Sequence, residues 1–117
     1  MTEKEMLDRT KKFALRVLKL VAALPNTIAG RAVGGQLVRS GTSVASNYRA
    51  ACRGRSKPEF IAKLGIAEEE ADESCFWMEV IIEDEMMSKA KVESLLNEGY
   101  ELTKILAASK IKARQKK

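Results

Sequence analysis

The sequence contains no histidine, only two cysteines and two prolines, and few aromatic residues. Without histidine, the chain lacks the commonest general base, the usual member of a catalytic triad and the commonest ligand of transition metals. Two cysteines without histidine also cannot complete a four-ligand zinc site. We therefore expect no enzyme activity, no metal and no cofactor.

The sequence also lacks a long apolar run and an export signal. Residues 13–24 are apolar but are interrupted by Arg16 and Lys19, and the first five residues lack the basic and then apolar order of a signal peptide. We expect no membrane segment and a cytoplasmic location. In that compartment Cys52 and Cys75 are expected to be reduced thiols that face the core.

Of the 117 residues, 45% are hydrophobic and 32% are charged, which is typical of one compact domain spanning residues 1–117. Apolar or small residues recur at alternating spacings of four and three, as on the packed face of a helix. This spacing predicts helices over residues 3–24, 27–53, 57–83 and 89–113, with a basic tail at 110–117. Long helices with short connections predict an all-α fold, an up-down-up-down antiparallel four-helix bundle.

Local signals mark the helix ends. Thr2 with Glu5 forms a capping box pattern before the first helix, and Pro25 ends that helix because its ring clashes with a continuing turn. Ser56 with Glu59 repeats the pattern before the third helix, with proline in the first turn.

The second helix carries glycine at three positions of its packed face, Gly30, Gly34 and Gly41. Each interior glycine costs about 1 kcal/mol of helix propensity relative to alanine, so close approach of a neighbouring backbone is the expected compensation. A turn at Gly34 and Gly35 that breaks the helix is the alternative.

Charge is sorted along the chain: residues 1–58 carry 12 basic and 3 acidic groups, residues 59–101 carry 3 and 13, and residues 102–117 carry 6 and 0. An up-down bundle brings the first helix's start, the second turn and the fourth helix's end together, so one end is basic. The candidate nucleic-acid-binding residues there are Arg49, Arg53, Arg55, Lys57, Lys110, Lys112 and Arg114. Further cations at this end are Lys4, Lys11, Lys12, Lys116 and Lys117.

This basic end is suited to phosphate, because arginine forks bind oxygens bidentately and the helix that begins after Ser56 offers free amides. Two alternatives remain open. The basic groups are a solvated surface with a disordered lysine tail, or the basic end of one subunit docks on the acidic end of another. The acidic groups expected at that opposite end are Glu79, Glu83, Asp84, Glu85 and Glu93.

A second set of polar residues lies on the two inner helices. Its members are Arg39, Ser43 and Asn47 on the second helix, and Glu70, Glu73 and Trp77 on the third. We expect the two rows to meet as a buried structural device that fixes packing or register. A di-metal site is not expected, because ferritin-like sites need histidine.

The Arg39-Ser40-x-x-Ser43-x-x-x-Asn47 row, followed by Glu59-Phe60-Ile61 at the start of the third helix, closely resembles one known family. It is that of the four-helix-bundle proteins encoded by intervening sequences of bacterial 23S ribosomal RNA genes. The resemblance implies a left-handed bundle that assembles into a ring, a homopentamer, with basic surface available to nucleic acid. The accessory proteins of diversity-generating retroelements are similar in fold. The family has no established catalytic residues to carry over, and the basic stretch at residues 50–55 replaces a Glu-Gly pair of many relatives.

Together these observations predict a cytoplasmic, non-enzymatic homo-oligomer that binds nucleic acid, structured RNA in particular, through its basic end and with weak sequence specificity. The alternative is an interaction scaffold or accessory subunit whose ring docks a protein partner. A membrane partner is not expected, since the apolar face of the first helix is needed for the core.

Overall fold

The computed structural model describes residues 1–116 and is built from four α-helices, with no strand among those residues. In chain order they are α1 (Glu3–Ala22), α2 (Ile28–Cys52), α3 (Lys57–Glu83) and α4 (Lys89–Gln115). The all-α expectation is confirmed. The predicted basic tail is instead helical through Gln115, and Lys117, part of that prediction, lies outside the described residues.

The starts of α1 and α3 are capped as their sequences indicate, with one difference. At α1 the Thr2 hydroxyl accepts from the Glu5 amide at 3.1 Å and the Glu5 carboxylate accepts from the Thr2 amide at 3.2 Å, which completes a capping box. At α3 the Ser56 hydroxyl accepts from the Glu59 amide at 3.2 Å, but the Glu59 carboxylate accepts from the Arg55 amide. The second box is therefore only half formed.

Contacts between helices establish an antiparallel arrangement of neighbours. Arg9 of α1 pairs with Glu98 of α4, and Arg16, further along α1, donates to Ser94, which lies earlier in α4. In the described residues, α1 and α3 each pack against α2 and α4 but not against each other. The four helices form an elongated bundle of 50 × 21 × 20 Å in which α1 and α3 are diagonally opposite.

The core runs along the bundle axis and takes side chains from every helix. Its large, fully buried members are Phe13, Val17, Leu37, Val44, Leu64, Met78, Ile81, Val92, Leu102 and Leu106. Nearly all of them lie on the packed faces that the four-and-three spacing predicts.

Helix α2 is continuous through Gly34 and Gly35, so the alternative of a turn there is wrong. The expected close approach is confirmed at Gly41, where an added β-carbon would lie 2.8 Å from both γ-carbons of Val17. A similar approach occurs at Gly99 of α4, whose β-carbon would lie 2.8 Å from the Cys75 sulfur. These glycines allow α1 to approach α2 and α3 to approach α4 more closely than a side chain would permit.

Candidate nucleic-acid interface

A cleft of about 490 Å³ opens where the start of α1, the α2–α3 turn and the end of α4 meet. We call it the end cleft; its lining residues are Glu3, Ala51, Cys52, Gly54, Ser56, Lys57, Phe60, Ser109, Lys112, Ala113 and Lys116. Three of these residues are lysines and only one is acidic. The cleft therefore concentrates positive charge at the end of the bundle where the chain order places it.

A second cavity, of about 640 Å³, lies beside the end cleft between α1 and α2. We call it the α1–α2 groove; its lining residues are Glu3, Leu7, Asp8, Lys11, Thr42, Ala45, Ser46, Arg49, Cys52 and Arg53. Glu3 and Cys52 line both cavities, so the two are adjacent. The groove combines an apolar wall with three cations and two carboxylates.

The structure thus divides six of the seven predicted binding residues into three groups. Lys57 and Lys112 line the end cleft, and Arg49 and Arg53 line the α1–α2 groove. Arg55, in the α2–α3 turn, and Arg114, in the last turn of α4, are exposed side chains at the same end.

Lys110 is placed differently from the other candidates. Its ammonium nitrogen lies 2.7 Å from Oε1 of Glu68, and both side chains are about three-quarters buried. The Lys110 stem passes Gly65, whose added β-carbon would lie 3.8 Å from Lys110 Cδ. Lys110 therefore links α4 to α3, and its charge is compensated within the bundle.

The start of α3 does not offer the series of free amides expected there. The Glu59 amide donates to the Ser56 hydroxyl, the Phe60 amide donates to the Ser56 carbonyl at 3.0 Å, and Pro58 has no amide hydrogen. Within residues 1–116, the amides of Ser56 and Lys57 are the two at this helix start that lack an acceptor. An anion at this end must be held mainly by side chains.

The polar rows of α2 and α3 meet, but on the surface and not in the core. Arg39 donates to Glu70 at 2.9 Å and also pairs with Glu73, while the Trp77 indole donates to Glu73 at 3.1 Å. Arg39 is exposed because it lies two residues, or about 200° around the helix, from the buried Leu37. The expectation of a buried row is therefore wrong.

The other two members of the α2 row, Ser43 and Asn47, are half-buried and do not reach α3. The Asn47 amide nitrogen donates to the Ser43 carbonyl at 2.9 Å, a bond within α2. Within residues 1–116, neither residue forms a hydrogen bond to Glu70 or Glu73.

Two hydrogen bonds determine the ionisation of Glu73. The indole N–H of Trp77, first, and the Arg39 guanidinium, second, hold the pKa of the Glu73 carboxyl below its usual 4.5. The carboxylate therefore stays ionised in mildly acidic solution, which keeps the Arg39 contact intact.

The buried polar contact between α2 and α3 is a serine pair that the sequence interpretation missed. Ser74 donates to the Ser40 hydroxyl at 2.9 Å, and Ser40 donates to the Leu37 carbonyl at 3.3 Å, with both serines fully buried. The available signal was positional, because Ser74 lies on the apolar face of α3 and Ser40 lies three residues beyond Leu37. Phe60, which the sequence analysis used only for the family resemblance, contributes a half-buried ring to the end cleft.

Both cysteines are free thiols, but only Cys75 is in the core. Cys52 is half-buried: it packs against the core and also borders the two cavities, so the expectation that it faces the core is confirmed only in part. Burial raises the pKa of Cys52 to about 11 and that of Cys75 to about 12. Both thiols are therefore protonated and weakly nucleophilic at neutral pH.

Two kinds of feature are absent from residues 1–116. No group of three or more histidine, cysteine, aspartate or glutamate side chains in this part of the chain is arranged to hold a metal ion. None of its helices combines the length and the apolar character needed to span a bilayer.

Comparison with known proteins identifies related chains. Residues 2–108 match the sequence model of the family described as 23S rRNA-intervening sequence protein. A crystal structure of a protein of unknown function from Bacteroides thetaiotaomicron, assigned to the S23 ribosomal protein family, superposes with a TM-score of 0.85 at 32% identity. That match covers 94% of this chain and 98% of the other. No protein with curated annotation matches the sequence.

Proposed function

Because the chain belongs to the 23S rRNA-intervening sequence protein family, we propose that it binds structured RNA through phosphate contacts at its basic end. In this proposal the protein is non-enzymatic and cytoplasmic. It acts as a left-handed bundle assembled into a homo-oligomeric ring of five subunits.

The observation that carries the proposal is the charge of the end cleft. Lys57 comes from the start of α3, and Lys112 and Lys116 come from the end of α4, yet all three border one opening with a single carboxylate, Glu3. In the described residues, Lys57 and Lys112 form no ion pair with a carboxylate. Their exposed ammonium groups are free to replace the counterions of a nucleic acid.

The neighbouring arginines extend this surface. Arg49 and Arg53 in the α1–α2 groove and Arg55 in the turn each present a guanidinium that can hold two phosphate oxygens at once. Phosphate contacts position a nucleic acid without reading its bases, so we expect weak sequence specificity.

The test is binding of the purified, nuclease-treated protein to labelled 23S ribosomal RNA fragments over a salt series. A chain that makes several phosphate contacts loses affinity steeply with salt, with a log–log slope of about −0.7 per contacted phosphate on single strands and −0.9 on duplexes. Absence of binding at about 50 mM salt, where such contacts are strong, would contradict the proposal.

The α1–α2 groove favours a second candidate function, a scaffold that docks a protein partner. Leu7 and Ala45 give the groove an apolar wall, which a phosphate backbone does not use but an apolar side chain does. A single stoichiometric protein recovered with the tagged chain from nuclease-treated lysate, and lost on Leu7→Glu, would support this function. Recovery of RNA alone from untreated lysate would support the first.

A further inference from the structure

The outward face of α1 exposes an apolar pair within a set of lysines. Leu15 is 55% exposed and Leu18 is 42% exposed. The four positions that border Leu15 on a helix surface, three and four residues away, are Lys11, Lys12, Leu18 and Lys19. We call these five residues the basic face.

The outward face of α3 repeats this arrangement with the opposite charge. Phe76 is 53% exposed, although phenylalanine is usually buried. The four positions that border it on the helix surface are Asp72, Glu73, Glu79 and Val80. We call these five residues the acidic face.

The acidic face is held in place by contacts within its own subunit. The Phe76 ring meets the Trp77 ring edge to face, with centroids 4.9 Å apart and an interplanar angle of 76°. Glu73 accepts from Trp77 at 3.1 Å, and Glu79 accepts from the Tyr100 hydroxyl. A surface ordered in this way loses little side-chain entropy when a partner binds it.

The two faces point away from each other, because α1 and α3 are diagonally opposite in the bundle. The basic face of one chain therefore cannot cover its own acidic face. Each face carries one to two exposed apolar side chains beside charged side chains of one sign, and the two signs are complementary. Glu73 is already paired with Arg39, but Asp72 and Glu79 form no ion pair within residues 1–116. The basic face and the acidic face are therefore complementary to each other in charge, and both offer apolar side chains to a contact.

We propose that the basic face of one copy docks on the acidic face of a second copy, with Leu15 and Leu18 against Phe76 and Val80. The lysines of the first copy then lie beside the carboxylates of the second at the edge of the contact. This rests on the homo-oligomer of the proposed function and identifies the surfaces that build it.

Charge also determines the symmetry of this contact. Two basic faces repel each other, as do two acidic faces, so a two-fold dimer through either face is disfavoured. The contact is heterologous: each subunit uses one face to bind the preceding copy and the other face to bind the next. Such a contact generates a closed ring when the rotation between subunits closes and an open filament when it does not.

The experiment compares the oligomeric mass of three single variants by light scattering. Leu15→Gln and Phe76→Gln each remove the apolar centre of one face without adding charge. Ile111→Gln, at a side chain of α4 that is also 53% exposed, is the matched control. We expect the wild type and the control to assemble, and each face variant to raise the dissociation constant at least tenfold, as for a central apolar anchor.

Mixing the two face variants tests the pairing itself. Leu15→Gln keeps an intact acidic face and Phe76→Gln keeps an intact basic face, so an equimolar mixture should form a 1:1 dimer and nothing larger. Circular dichroism of each variant should match the wild type, since both positions face solvent. If Leu15→Gln lost helical signal, Lys12→Glu on the same face would replace it.

Three results would overturn the inference. The first is a wild-type chain that is monomeric at about 100 μM, a concentration well above the dissociation constants of specific interfaces. The second is face variants that assemble like the control, and the third is a mixture of the two variants that forms no dimer. RNA affinity measured on the same samples separates this inference from the proposed function. A wild-type ring that binds no RNA would leave the subunit contact standing and refute only the RNA proposal.

Discussion

Gly41 and Gly35 lie on different faces of α2 and should respond oppositely to the same substitution. The β-carbon of Gly41→Ala would lie 2.8 Å from the branched, fully buried side chain of Val17, whereas that of Gly35→Ala meets nothing within 4 Å. We expect Gly41→Ala to lower the free energy of unfolding by about 1–3 kcal/mol through overpacking. Gly35→Ala should raise it by about 0.5–1 kcal/mol through helix propensity.

Urea unfolding of the two variants beside the wild type measures both effects. Equal stabilisation by the two alanines would mean that α1 can move away from α2 at no cost, which contradicts the close approach. The exposed Gly35 variant also controls for the general effect of alanine on α2.

The single tryptophan reports on the ionisation of Glu73. Because the Trp77 and Arg39 bonds lower the pKa of this carboxyl in the folded state, their contribution to stability is fully present above the unfolded value and is lost as pH falls through the folded one. We expect the fluorescence of Trp77 to titrate with a midpoint below 4.5, the usual value. The transition should be absent in Glu73→Gln; a midpoint at or above 4.5 would contradict the geometry.

Residue-level features were predictable only where a single helix determines them. The close approach at Gly41 followed from the cost of glycine on a packed helix face. The Ser40–Ser74 pair and the Lys110–Glu68 pair depend on the rotation of one helix against another, which no local pattern specifies. Arg39 is a different case, because its position about 200° from Leu37 is a property of α2 alone and already indicated an exposed side chain.

The starts of the helices differ in how their serines are used, which gives a prediction about α3 and α4. Ser56 accepts from the Glu59 amide, whereas Ser88, at the equivalent position of α4, forms no side-chain cap bond. Ser56→Ala should therefore lower the free energy of unfolding by about 1 kcal/mol. Ser88→Ala should cost markedly less; chemical denaturation of the two variants compares them directly, and equal losses would refute the assignment of the cap.

The number and the positions of the helices were predicted from the sequence, because the four-and-three spacing, the caps and proline each act within a few residues. The observed helix ends lie within about two residues of the expected ones, as boundary definitions themselves do. The end of α4 lies two residues beyond the expected one, in a lysine-rich sequence that shows little apolar spacing. Ala113 is buried there, and Lys112 and Arg114 complement the helix dipole, so the helix continues to Gln115.

For the molecule as a whole, chain order and charge counting predicted which end is basic. They did not distinguish the cations that border the end cleft from a cation whose charge is paired with a carboxylate of the same chain. Lys57 and Lys112 belong to the first group and Lys110 to the second. The difference follows from the α3–α4 contact at Glu68, a property of the assembled bundle.

Assembly should also affect RNA binding. A ring that presents several end clefts to one RNA binds it more tightly than a single subunit does, because every contact after the first is intramolecular. We expect the monomeric Leu15→Gln variant to bind 23S ribosomal RNA fragments at least tenfold more weakly than the wild type. Its affinity for a short oligonucleotide that reaches one subunit should be unchanged, and a loss on both ligands would contradict this explanation.

Binding of phosphates at the basic end is tested by placing the same double charge reversal at one end of the bundle and then at the other. Lys57→Glu with Lys112→Glu reverses two cations of the end cleft. Lys89→Glu with Lys91→Glu reverses two exposed cations at the start of α4, at the opposite end, and leaves the same net charge. The measurement is RNA affinity over a salt series for both double variants and the wild type.

We expect the end-cleft variant to lose at least tenfold in affinity. Its salt slope should fall by about 1–2, since each lost phosphate contact removes roughly 0.7–0.9. The opposite-end variant should keep the wild-type slope and lose at most about threefold through long-range charge. Equal losses in the two variants would mean that net charge alone attracts the RNA, and the end cleft would then not be its binding site.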